Sequence, residues 1–138
     1  MARPVLIDRL RATRSGTSEG DLFDPDCPTR LVLDRIGDKW TVLIVLLLSD
    51  GPMRFSELRA QLGRVAPKVL TQTLRRLERD GLVTREIFAE VPPRVEYTLT
   101  GLGHSLTKPI AVIGDWAEVN VGRITAAQEA YDGVKPAS

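Results

Sequence analysis

Lys68, Gln72, Arg75 and Arg79 recur at spacings of four, three and four. On a helix, that spacing gathers them on one face, where Thr71 and Arg76 flank them. The chemistry of such a face is non-covalent. Lysine and arginine neutralise phosphate, an arginine fork matches O6 and N7 of guanine, and a glutamine amide matches N6 and N7 of adenine. Gln72 is therefore the candidate adenine reader and Arg75 the candidate guanine reader. Arg76 and Arg79 lie off the axis of that face or far down the helix. The bland alternative for the whole set is a solvated helix face.

Groups suited to covalent or metal chemistry are sparse. The chain holds one cysteine and one histidine, which excludes an internal disulfide framework and a cysteine-cluster zinc site. It contains no GxxxxGK loop, GxGxxG turn or HExxH pair. Gly101 and Gly103 open a helix but lack the preceding strand of a nucleotide site. An enzyme and a bound cofactor are therefore not expected. His104, in the first turn of the last helix, reads as a surface or packing residue. Cys27 stands at a helix start, where unpaired N–H groups and the helix dipole favour thiolate. Asp24 and Asp26 oppose that effect, and a lone cysteine is also at home as a small buried hydrophobe.

The net charge of +1 on 138 residues is uninformative until it is divided. Residues 54–94 carry nine basic and five acidic side chains, whereas residues 1–26, 27–53 and 95–138 are neutral or acidic. The excess positive charge sits in the middle of the chain, as a local footprint for an anionic partner. The longest apolar run, Val42 to Leu48, is far shorter than the ~20 residues a bilayer span requires. The N-terminus lacks a signal peptide's apolar stretch and cleavage site, so a cytoplasmic protein without membrane contact is expected.

Three segments should position these residues: a mobile arm over 1–24 with a short apolar patch (Val5, Leu6, Ile7), a domain over 25–127, and a polar tail over 128–138. Pro28 opens a first helix that Gly37 ends as a left-handed cap, and Asp38 caps the next. Lys39 to about Ser49 is apolar on nearly every side, which suits a core or an interface. Phe55, Leu58 and Leu62 mark a short amphipathic helix ended by Gly63, with Ser56 near its start as an N-cap or a phosphate donor. Pro67 opens the basic helix, about 66–80, whose buried stripe is Ala66, Leu70, Leu74 and Leu77; Asp80-Gly81 ends it. From Leu82 the period changes to two and resumes after a proline-containing tip, so residues about 82–99 form a β-hairpin. Thr100 caps a last helix running to about Ala127, which Pro109 must kink or interrupt. Leu106, Ile110, Ile113 and Ala117 form one apolar stripe on it, and Val112, Trp116 and Val119 a second.

A tight helix pair with a basic second member is a helix-turn-helix, and a hairpin directly after it is the wing of a winged helix. The fold class expected is mainly α with a small β-hairpin wing. The basic helix fits the major groove of DNA, and Arg94 at the hairpin tip reaches the backbone or the minor groove unless it pairs with Glu90 or Glu96.

Residues 27 to about 118 closely resemble the HxlR-type transcription regulators, a branch of the MarR-like winged-helix proteins. The resemblance rests on Cys27-Pro28, Gly37-Asp38-Lys39-Trp40-Thr41, Arg54-Phe55-Ser56-Glu57-Leu58, Pro67-Lys68-Val69-Leu70-Thr71-Gln72, Leu77-Glu78-Arg79-Asp80-Gly81-Leu82-Val83 and Pro92-Pro93-Arg94-Val95-Glu96-Tyr97. It implies a homodimer on an inverted-repeat, double-stranded DNA operator, regulating transcription. It implies dimer contacts through the first and last helices, which fits the second apolar stripe; the expected interface residues are Leu106, Ile110, Ile113 and Ala117. Lys68, Thr71, Gln72 and Arg75 match positions that enter the major groove in the family. Relatives carry a cysteine at the position of Cys27, and some sense oxidants or electrophiles, so a small-molecule or oxidant effector is a possible partner. Trp40 and Trp116 read as core or interface residues, or as the lining of an effector cavity. Many relatives have serine where this chain has Ala66, which leaves the basic helix without a side-chain cap there. A winged helix that binds protein instead of DNA is the competing reading; the positive centre and the Lys68/Gln72/Arg75 face count against it.

Overall fold

A computed structural model describes residues 28–63 and 65–134; Cys27 and the expected arm over 1–24 lie outside the described residues. The elements run α1 (Pro28–Gly37), α2 (Lys39–Leu48), β1 (Met53–Arg54), α3 (Phe55–Gln61), α4 (Pro67–Arg79), β2 (Val83–Phe88), β3 (Arg94–Leu99), α5 (Gly101–Ser105) and α6 (Thr107–Val134). The result is a winged helix: a helical body with a three-stranded antiparallel sheet in the order β1-β3-β2.

Local signals account for most boundaries. The Asp38 carboxylate accepts from the Trp40 N–H and the Thr41 hydroxyl, both at 3.1 Å, and so satisfies one orphan N–H at the start of α2 and ties down a buried hydroxyl. Pro67 stands at the head of α4, and Ala66, its N-cap, supplies no side-chain bond. At the other end of α4 the Gly81 N–H bonds to the Glu78 carbonyl and the Leu82 N–H to the Leu77 carbonyl, with Gly81 at φ +76°. This is a Schellman termination, and the left-handed residue must be glycine to avoid a Cβ clash. Gly37 departs from expectation. It is the last helical residue of α1, and the left-handed glycines are Gly51, Gly63 and Gly81; the reversal into α2 is made by Asp38 in an extended conformation.

One core gathers Ile44, Val45 and Leu48 of α2, Leu58 of α3, Leu70, Leu74 and Leu77 of α4, and Tyr97 and Leu99 of β3. The all-round apolar character of α2 resolves into an inner face and an outer one, where Leu43 and Leu46 are exposed. The strand β1 had no signature in the sequence, because two residues cannot show a period. It exists because β3 offers a second edge, pairing Met53 with Tyr97 and Arg54 with Glu96.

The last helix meets expectation in one respect and departs from it in two. It is broken at Leu106 into α5 and α6, because Pro109 has no N–H to bond the Ser105 carbonyl and its ring would collide with that turn. It continues to Val134 instead of ending near Ala127, through a run rich in strong helix formers (Ala126, Ala127, Gln128, Glu129, Ala130). Finally, Leu106 and Ile110 do not belong to an outward interface. Ile110 is buried and Leu106 packs on the same core, because α6 crosses α2 at this level. Ile113 and Ala117 are exposed, as are Val112, Trp116 and Val119 of the second stripe.

The corner joining α4, the hairpin and α5 is tightly built. Thr100 donates its hydroxyl proton to the Gly81 carbonyl at 2.7 Å and accepts from the Gly103 N–H at 3.0 Å. The Leu82 carbonyl accepts the Thr100 N–H at 3.0 Å. A Cβ at Gly103 would lie 2.2 Å from the Leu82 oxygen and 2.7 Å from the Leu99 side chain. Gly103→Ala is expected to lower unfolding stability by about 2 kcal/mol or more, since overpacking against backbone cannot relax by a rotamer change. Urea denaturation of the two proteins checks it.

Candidate nucleic-acid interface

Four core leucines on α2 and α4 fix which side of α4 is free. With Leu70, Leu74 and Leu77 inward, the opposite face carries Lys68, Gln72, Arg75 and Arg79, all exposed, with Thr71 half-buried beside them. Among the described residues, Lys68, Arg75 and Arg79 form no ion pair with an acidic side chain. Thr73, on the buried side, returns its hydroxyl to the Val69 carbonyl at 2.8 Å. Helix α4 thus holds three unneutralised cations and an amide on one rigid, solvent-facing surface. Arg76 is differently placed: its Nη1 lies 3.5 Å from Asp38 Oδ2.

Ser56 is exposed in the first turn of α3 but does not cap it; the N-cap is Arg54, whose backbone N–H bonds to Glu57 Oε1 at 3.1 Å. Ser56 instead shares a cleft of about 300 Å³ with Arg54, Arg94 and the hairpin tip, Glu90 to Pro93. The structure therefore brings together two predicted contacts, Ser56 and Arg94, that lie far apart in the sequence.

Arg94 sits in the ion-pair alternative weighed above. Its guanidinium is 3.4 Å from Glu90 and 3.5 Å from Glu96, and it stacks 4.1 Å from the centre of the Phe88 ring. Two carboxylates and an aromatic face hold it against the hairpin, with a quarter of the side chain exposed. Arg85 lies 3.7 Å from Glu78, tying β2 to α4. The Arg94 partners lie close in the sequence, whereas no local pattern announces that Arg85 faces Glu78.

Tyr97 joins the hairpin to the body. It is buried in β3, opposite Arg85 in the register. Burial raises its hydroxyl pKa above the ordinary 10.0; Arg85 opposes the shift, Glu78 adds to it and Arg75 opposes it.

A groove of about 320 Å³ runs between the α1–α2 corner and α6, lined by Ile36, Val42, Leu46, Ile113 and Ala117 among others. Neither Trp40 nor Trp116 lines it: Trp40 lies under the Lys39 ammonium, 4.4 Å from its ring centre, and Trp116 is exposed. Among the described residues no three His, Cys, Asp or Glu side chains cluster as metal ligands, and no helix is long and apolar enough to cross a membrane.

The model of the HxlR-like helix-turn-helix family matches residues 35–125. The HTH-type transcriptional regulator YtfH of Escherichia coli, itself uncharacterised, is 42% identical over 111 residues, covering 80% of this chain and 88% of that protein. The solved structure of a YtfH transcriptional regulator from Salmonella typhimurium is 44% identical, with a TM-score of 0.72 over 78% of this chain and 96% of that one. The redox regulator HypR in its oxidised form is 40% identical, with a TM-score of 0.62 over 68% of this chain and 97% of that one.

The Tyr97 shift carries a pH dependence. The folded protein keeps the phenolic proton at a pH where the unfolded chain has lost it. The unfolded state then binds fewer protons, and stability falls as pH rises. The contribution is complete below pH 10 and is lost as pH rises through the raised value. Tyr97→Phe should flatten the alkaline loss relative to the wild type; urea midpoints from neutral pH to about 10.5 measure the difference.

Proposed function

Because the chain belongs to the HxlR-like helix-turn-helix family of transcriptional regulators, we propose that it acts as a homodimer on an inverted-repeat DNA operator. Its fold and relatives are those of regulators, not of enzymes. The observation that carries the DNA reading is the outward face of α4, where Lys68, Gln72 and Arg75 stand exposed over a buried leucine stripe. In the major groove Gln72 reads adenine, Arg75 reads guanine, and Lys68 and Thr71 hold phosphate or sugar. Ser56 and the wing meet the flanking backbone.

Arg94 reaches that backbone by exchanging a carboxylate for a phosphate, and Arg76, whose side chain stays partly exposed beside Asp38, meets it from the edge of the helix with the guanidinium N–H groups that Asp38 leaves free. The dimer reading is supported by the uncovered apolar surfaces of α1 (Leu31, Val32, Leu33) and α6 (Val112, Ile113, Trp116, Val119), with Ala117 between them on α6. A charged solvent face would carry fewer such residues.

A second property is favoured by the likeness to HypR, a redox regulator. Cys27 is this chain's single cysteine. Its oxidation would join two copies, or join one copy to a small thiol.

Selection of duplexes from a random pool, followed by gel shifts at several salt concentrations, tests the main reading. The wild type should enrich an inverted repeat and weaken steeply with salt, because each phosphate contact releases counterions. Arg75→Ala should lose about 1–3 kcal/mol at one base position only, whereas Arg94→Ala should weaken all duplexes evenly. Glu90→Gln should strengthen all duplexes by freeing Arg94; unchanged affinity in both wing variants removes Arg94 from the interface. For Cys27, diamide should lower operator affinity in the wild type and leave Cys27→Ser unaffected. Equal responses exclude the sensor.

A further inference from the structure

Two ion pairs cross from the α1–α2 corner to the last turn of α4. Arg35, in the last turn of α1, donates through Nε to Asp80 Oδ2 at the C-cap of α4. One turn earlier on α4, Arg76 faces Asp38 at 3.5 Å. The first pair is well shielded, with 15% of the Arg35 side chain and 14% of the Asp80 side chain exposed. It forms the polar wall of a cavity of about 270 Å³ whose other walls include Leu31, Leu82, Leu102 and Leu106.

The first pair is not a natural choice for stability alone. A carboxylate at a helix C-terminus meets the negative end of the dipole and is unfavourable there. A shielded ion pair is also weak evidence of net stabilisation, since desolvation offsets the attraction. What such a pair does supply is direction. The guanidinium plane and the carboxylate must meet in a defined geometry, and a wrong placement leaves an uncompensated charge.

The location completes the argument. Both ties grip the end of α4 remote from Lys68 and Gln72, on either side of Leu77, and Leu70, Leu74 and Leu77 seat the helix in the core. A shift of α1 would therefore tilt α4 about that seat. The outer residues of α1, Leu31, Val32 and Leu33, are exposed and belong to the surface assigned above to the second copy.

We propose that α1 is the positioning arm of the recognition helix: the Arg35–Asp80 and Asp38–Arg76 pairs make α1 and α4 move as one lever, so that the placement of α1 in the dimer sets which bases α4 reaches. Arg35 and Asp38 are positioning residues that touch no DNA. The inference rests on the DNA-binding reading of α4.

The test compares the wild type with Arg35→Gln, Asp80→Asn, their double variant and Asp38→Asn. Affinity is measured for the duplex the wild type selects from a random pool and for an unrelated duplex of equal length. Thermal melting and circular dichroism are followed in parallel. The ratio of the two affinities should fall about tenfold in Arg35→Gln and in Asp80→Asn, an ordinary coupling between contacting groups, with no further fall in the double variant. Affinity for the unrelated duplex should stay within about twofold, because phosphate contacts do not depend on the tilt.

Asp38→Asn covers the case in which the shielded pair is needed for folding. Asparagine keeps the cap on α2 and removes only the charge facing Arg76, so a folded protein with a several-fold lower ratio is expected. An unchanged ratio in folded variants overturns the lever, even if their melting points fall. A uniform gain on both duplexes, from Arg76 released to phosphate, overturns it equally. A wild type that enriches no sequence overturns the DNA reading and the lever with it. A wild type that enriches one, while the variants keep its ratio, overturns the lever alone.

Discussion

The arrangement of this molecule depends on the Leu82 carbonyl and the space in front of it. That oxygen ends the recognition helix's termination loop, accepts the Thr100 N–H at the return of the hairpin, and is overlaid by Gly103 of α5 at a distance no Cβ would tolerate. Three elements thus meet over one backbone group. Helix α4 cannot extend past Gly81, β2 must leave in one direction, and the segment after β3 must come back against the same corner. The outward face of α4 and the wing keep a fixed mutual angle because both are measured from this point. Side chains refine the angle, notably Tyr97 and the Arg85–Glu78 pair, but the backbone sets it.

The parts of the fold legible in the sequence are those with local causes. Asp38 caps because the acceptor and the orphan N–H groups lie within three residues. Pro67, Asp80-Gly81 and the change of period after Leu82 act over similar distances. The outward face of α4 follows from spacing alone. What escaped notice is non-local. Strand β1 exists only because β3 lies alongside it, and the inward turn of Leu106 and Ile110 follows from where α6 crosses α2. Both stripes on the last helix were visible, but apolar spacing cannot say whether a stripe meets its own chain or another. The break at Leu106 was signalled by Pro109, and only its place, a few residues earlier, needed the structure.

Charge shows the same division. The central excess of basic residues is real, yet it is not spread evenly over the surface. Arg76, Arg85 and Arg94 each face a carboxylate, while Lys68, Arg75 and Arg79 face none among the described residues. Lys68, Arg75 and Arg79 share one helix face, and the three engaged arginines brace the pieces around it. Counting arginines overstates the electrostatic footprint and understates its sharpness. A compact positive face on a nearly neutral body restrains indiscriminate attraction to polyanions, because non-specific affinity grows with the number of phosphates contacted.

Helix α6 buries a single residue, Ile110, among its 28. At about 1.5 Å per residue it is roughly 42 Å long, and the surface around Ile124, Gln128 and Tyr131 is bordered by α6 residues alone. Such a segment buries little apolar surface against the described part of its own chain, and a solitary helix of some fifteen residues is marginal in water. If copies of the chain cover it, as proposed above, the winding of its far end and their association are one process. The helical content of the chain would then be a gauge of how much company it has.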